Sequence, residues 1–192
     1  MKLFLLATAL LTSLSVSAQK QKQMNRIPTE DEMGAYVMVY HKDQDHSLHM
    51  ALSYDSYHWT ALNDDKAVIS GDSIAVQHGI RDPHIFRGPD GGFYLAMTDL
   101  HLFSQKNNEN NNRFSKLSAY RDTQWERDAS YGWGNNRGLV MMKSFDLIHW
   151  TRTNLDFSIL PKQDDINWQE VGCVWAPETV FDEETGQLSF DF

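Results

Sequence analysis

Ser53-Tyr54-Asp55-Ser56-Tyr57-His58-Trp59-Thr60 returns later in the chain as Ser144-Phe145-Asp146-Leu147-Ile148-His149-Trp150-Thr151, with Ser, Asp, His, Trp and Thr at matching places. A second, looser repeat begins with Asp82-Pro83-His84-Ile85-Phe86 and continues through Asp90-Gly91-Gly92-Phe93-Tyr94-Leu95. Its counterpart is Ala176-Pro177-Glu178-Thr179-Val180-Phe181 followed by Thr185-Gly186-Gln187-Leu188. Each half of this second repeat has the form strand, glycine hairpin, strand. Two interleaved repeats imply one four-stranded unit used several times, because a lone unit cannot bury both its faces and must stack against copies of itself. The expected fold class is therefore all-β, a partial β-propeller of four-stranded antiparallel blades with about two to three blades present. In the first repeat the Ser and Asp side chains can hydrogen-bond the turn of an outer hairpin, and Trp59 and Trp150 can pack between blades. Recurrence at equivalent outer positions suits architecture, so His58 and His149 are read as structural.

Outward from these repeats, Gly34 to His41 is rich in aromatic and β-branched residues and predicts a buried strand. Leu48 to Tyr54, Gly92 to Met97 and Gly138 to Met142 have the same character. No stretch outside the amino-terminal segment has helical periodicity. The segment from His101 to Tyr131, with its asparagine-rich centre at Asn107 to Asn112, is long for a compact blade. It is either a surface loop or one wall of a groove. Tyr131-Gly132-Trp133-Gly134-Asn135-Asn136-Arg137 follows, combining backbone freedom, rings and donors suited to sugar hydroxyls.

At the amino terminus, Met1-Lys2 precedes an apolar run from Leu3 to Val16 and the small residues Ser17-Ala18. That pattern predicts a signal peptide over 1–18, a linker over 19–33 and an incomplete propeller domain over 34–192. The run is short of the roughly 20 apolar residues a spanning helix needs. The expectation is an exported protein, periplasmic or extracellular, with no membrane span. Cys173 is the sole cysteine of the 192 residues, so an intrachain disulfide is impossible. Net charge is −9, and Lys and Arg are scattered, which argues against nucleic acid as a partner. Six Trp, seven Tyr and ten Phe can fill a sheet core or stack on sugar rings.

Two proline elements carry the candidate chemistry. In Gly79-Ile80-Arg81-Asp82-Pro83-His84-Ile85-Phe86 a carboxylate stands before a proline at the mouth of a predicted innermost strand. Proline is expected to press Asp82 into an extended conformation and so fix the direction of its carboxylate. In isolation Asp-Pro is more often an ordinary turn or strand entry, and it is the context that raises it to a candidate. The second element, Val174-Trp175-Ala176-Pro177-Glu178-Thr179-Val180-Phe181, sets an indole and a carboxylate around another proline at the equivalent place in the next blade.

Arg-Asp-Pro-His-Ile, then Gly-Leu-Val-Met-Met-Lys-Ser-Phe-Asp-Leu-Ile-His-Trp-Thr, then Trp-Ala-Pro-Glu-Thr, in that order, resembles family 43 glycoside hydrolases, the five-bladed arabinanase and β-xylosidase group. The likeness extends from Gly34 to Phe192. It implies a glycosidase acting on arabinofuranosyl or xylosyl linkages of plant-type polysaccharide or related glycans by an inverting acid/base mechanism. Asp82 matches the family's general base. The pKa-tuning Asp and the acid Glu are expected after the Trp-Ala-Pro element, so the resemblance implies a chain cut short before its acid, with an open ring and little activity. Glu178 is preferred as a hydroxyl acceptor rather than an acid, and Trp175 as a sugar platform, with strand-start packing the alternative for both. Arg81, His84, Asp99, His101, Trp133 and Asn135 complete the candidate substrate-binding set. No cofactor is required; the full-length family fold holds a calcium or similar ion in some members, and no residue of this chain is assigned to a metal. A non-catalytic carbohydrate-binding propeller is the competing expectation.

Overall fold

The structure is a computed structural model and describes residues 26–101, 136–163, 165–170 and 173–192. The expected leader over 1–18 and the start of the linker lie outside the described residues, as do Trp133 and Asn135. Among the described residues no helix is long and apolar enough to cross a membrane.

The described residues form three antiparallel sheets. The first has the order β1 (Tyr36–His41), β2 (Leu48–Ser53), β3 (Thr60–Ala61). The second is a complete four-stranded unit, β4 (His78–Arg87), β5 (Phe93–His101), β6 (Gly138–Ser144) and β7 (Trp150–Asp156). The third pairs β8 (Glu178–Asp182) with β9 (Gln187–Asp191). Sequence neighbours pair throughout, and β4, at one edge of the second sheet, packs against both β1 and β8. This is the arrangement of an all-β partial propeller.

Alternation along β6 shows how the sheets hold together. Val140 and Met142 join one buried cluster with Leu48, Met50, Ile74, Ile80, Leu95 and Met97, between the first and second sheets. Leu139 joins a second cluster with Phe157 and Val174, against which Met141 and Trp168 pack. Successive side chains point to opposite faces of a strand, so a continuous apolar run such as Gly138 to Met142 is what a sheet covered on both sides requires. Each fully buried Leu or Met here contributes roughly 1.5–3 kcal/mol of apolar burial.

The repeated outer turns share a set of equivalent bonds. Asp55 Oδ1 accepts the backbone N–H groups of Tyr57 and His58, at 3.0 and 2.8 Å, and Asp146 Oδ1 accepts those of Ile148 and His149, at 2.9 and 2.7 Å. Nδ1 of His58 donates to Asp55 Oδ2 at 2.7 Å, and His149 donates to Asp146 at 2.8 Å. Both indoles fold back onto the turn, Trp59 on the Ser56 carbonyl and Trp150 on that of Leu147. Ser56 and Leu147 share a φ of +63°. Trp150 also packs against the first core cluster, whereas Trp59 remains partly exposed.

Candidate functional site

The decisive irregularity lies in β4. Its register with β5 runs Arg81↔Thr98 and resumes at His84↔Ala96, so Asp82 and Pro83 together oppose the single Met97. Proline cannot donate to a ladder, and a bulge is where a paired strand tolerates it. Asp82 has a φ of +48° rather than the extended conformation expected before proline. It also lies inside the strand, four residues beyond its start at His78, and not at its mouth. The same φ of +48° occurs at Ala176, before Pro177. Because alanine has no polar side chain to favour it, the left-handed residue before proline belongs to the repeated scaffold and overrides the local preference.

The bulge carries the Asp82 side chain out of the ladder, 39% exposed, with Arg81 Nε 3.8 Å from its Oδ1. Its backbone N–H donates to Nδ1 of His41, at the end of β1, over 3.3 Å. Burial foremost, and then the Arg81 guanidinium, push the His41 pKa below its ordinary 6.5, against the pull of Asp82, Asp43 and Asp45. The hairpin following His41 also brings in His46. That buried imidazole is pushed down to about 4, chiefly by loss of solvent.

On the other side of the bulge the third sheet approaches. The Ala176 N–H donates to Thr98 Oγ1 at 3.1 Å, and Thr98 is the register partner of Arg81. The Thr179 N–H donates to Nδ1 of His84 at 3.1 Å. The backbone from Ala176 to Thr179 therefore runs from Thr98 to His84, and Trp175 and Glu178, beside and within this stretch, are exposed. Arg81, Asp82 and His84 of β4 thus lie on the strand that packs against the segment carrying Trp175 and Glu178.

Asp99 is not brought to that surface. Its carboxylate, 2% exposed, accepts the backbone N–H groups of Val76 and Gln77 at 2.8 and 2.6 Å, with burial raising its pKa against those bonds. It anchors the segment that leads into β4. Thr98 and Asp99 are adjacent and so face opposite sides of β5, one toward the third sheet and one toward this segment. His101 ends β5, its backbone paired with His78. Sequence reasoning passed over His41, His46 and Thr98; the run His41-Lys42-Asp43-Gln44-Asp45-His46, set between two predicted strands, was the available signal. Among the described residues no three His, Cys, Asp or Glu side chains gather as cation ligands.

A family model described as a probable glycosyl hydrolase domain, related to family 43, matches residues 31–190. The α-L-arabinofuranosidase of Bifidobacterium longum subsp. longum is similar to this chain, 28% identical over 136 residues. The match takes in 68% of this chain and 10% of that protein, so the chain spans a tenth of the relative's length. No solved structure matches.

Proposed function

The chain belongs to the family of probable glycosyl hydrolase domains related to family 43, and from that premise we propose that it acts on arabinofuranosyl or xylosyl linkages by inversion, with Asp82 as general base. The observation that supports this most is the bulge. It lifts one carboxylate out of the ladder of β4, the strand that packs against the segment carrying Trp175 and Glu178. An ionised Asp82 takes a proton from water as the water attacks the anomeric carbon on the face opposite the leaving group. The acid of such an enzyme stands about 6.5–9.5 Å away to leave room for that water, and no described residue is assigned to it. Trp175 offers its indole as a platform for the apolar face of a sugar ring, and Glu178 accepts from hydroxyls. This chemistry runs on carboxylates and water and calls for no cofactor. A polymeric glycan substrate fits an exported protein, periplasmic or extracellular.

The exposed Trp175 indole equally suits a propeller that binds sugar without cleaving it. One experiment separates the two. Hydrolysis of aryl arabinofuranosides and xylosides, and binding of the corresponding oligosaccharides, are measured on a version of the protein that includes the acid carboxylate, as wild type and as Asp82→Asn. The hydrolase proposal expects turnover to fall by about 10²–10⁴-fold with affinity retained. Undiminished turnover in Asp82→Asn overturns it, and wild-type binding without turnover establishes the binding propeller instead.

A further inference from the structure

We propose that His41 is the positioning residue for Asp82, its neutral imidazole accepting the Asp82 backbone N–H and so holding the left-handed bulge that aims the carboxylate. This deepens the proposal of Asp82 as base and rests on it. A non-glycine residue in the left-handed region is strained, and such a residue persists only where its surroundings over-determine it. At Asp82 the restraints are identifiable. Pro83 follows it, the ladder is broken there, and its N–H has no strand partner but reaches across to Nδ1 of His41 at 3.3 Å. Ala176 has the same φ before Pro177, and its N–H is taken by Thr98 Oγ1. Each left-handed residue before a proline thus hands its N–H to a side chain of a neighbouring sheet. Only at Asp82 is the acceptor titratable.

An imidazole accepts at Nδ1 only when that nitrogen carries no proton. Once protonated, His41 turns an N–H toward the Asp82 N–H, and the bond becomes a repulsion. The groups facing His41 are Asp43, Asp45 and His46 from its own hairpin, and Arg81 and Asp82 from β4. Arg81 and His46 favour the neutral ring, while the three carboxylates favour the charged one. With burial added to the first side, the neutral acceptor prevails at neutral pH, and the bulge loosens on acidification below the ordinary histidine range.

The test compares the full chain with His41→Asn, whose Oδ1 occupies the place of Nδ1 and does not titrate, and with His41→Leu, which removes the acceptor. In the wild type the ¹⁵N shift of the Asp82 amide should titrate with the midpoint of the His41 ring. It should be flat over that range in His41→Asn, and its protection from hydrogen exchange should vanish in His41→Leu. In hydrolysis by a version of the protein that includes the acid carboxylate, His41→Leu should lower kcat by about 10²-fold at similar KM, the scale of an ångström of misplacement, while His41→Asn restores most of it with an altered acid limb. An Asp82 amide that ignores the His41 titration, or a His41→Leu protein with wild-type protection and kcat, overturns the proposal while leaving Asp82 as base. Full activity in Asp82→Asn instead overturns the base and leaves the amide coupling to stand or fall on its own spectrum.

Discussion

Thr179 donates its backbone N–H to Nδ1 of His84 over 3.1 Å, and that bond ties β8 to the bulged strand β4. Two further bonds lie along the seam, from Ala176 to Thr98 and from the Val174 N–H to the Asn136 carbonyl. Thr179 is buried, so an amide left without its acceptor there loses about 1–3 kcal/mol. His84→Leu should therefore destabilise the chain by about that amount and abolish hydrogen-exchange protection at Thr179, with the pairing of β4 and β5 intact. Unchanged protection at Thr179 would show that the seam is held elsewhere.

Gly71 opens the short helix α1 (Gly71–Ile74), whose Ser73 and Ile74 carbonyls accept from Arg152 and Asn154 of β7. A Cβ at Gly71 would lie 2.0 Å from the His46 carbonyl oxygen, the same atom that accepts the Ile80 N–H at 2.9 Å. Backbone has to move to relieve that overlap. Gly71→Ala should cost about 1–3 kcal/mol in urea denaturation, more than Gly34→Ala, where a Cβ meets nothing within 4 Å. Equal stabilities for the two variants would contradict this account.

The sheet architecture was legible because repeats and alternation are local signals. Ser53 to Thr60 and Ser144 to Thr151 fold into the same turn, and the apolar run at Gly138 to Met142 divides between two cores as a doubly covered strand must. The site was legible only in part. Asp82 and Trp175 were marked by their prolines, yet the rule for a residue before proline gave the wrong backbone at Asp82. Its backbone N–H goes to a histidine on another sheet, 41 residues away, across a register shift that only pairing reveals. Asp99 shows the complementary difficulty. Its strand was clear, but whether it or Thr98 faces the seam depends on a phase that the sequence alone does not set.

The two outer turns allow a test of whether the repeat is energetic as well as geometric. In both, the Asp carboxylate takes two backbone N–H groups and a histidine, and these bonds hold its pKa well below the usual carboxylate value. Asp55→Ala and Asp146→Ala should each lower the unfolding temperature by similar amounts, and the double variant by their sum, because the turns share no partner. The stability they contribute is present above the ordinary carboxylate pKa and declines as pH falls through and below it. A large loss at one turn with none at the other would confine the structural role to a single copy.

His46 supplies the sharper pH dependence. Its ring is buried at a φ of +46°, and its pKa falls from 6.5 to about 4 because the folded chain shuts out the water that would solvate the imidazolium. The unfolded chain therefore binds more protons than the folded one between these values. Stability from this group is complete above about pH 6.5 and drains away on acidification toward pH 4, by on the order of 3 kcal/mol. His41, shifted in the same direction, adds to the slope. Urea midpoints measured from pH 7.5 down to 4 should fall steeply for the wild type. His46→Asn, whose side chain tolerates the left-handed backbone and carries no titrating proton, should flatten that fall even though it packs less well at neutral pH. Parallel curves for the two proteins would mean that His46 is already solvated in the native state, and the buried imidazole would have to be withdrawn from this account.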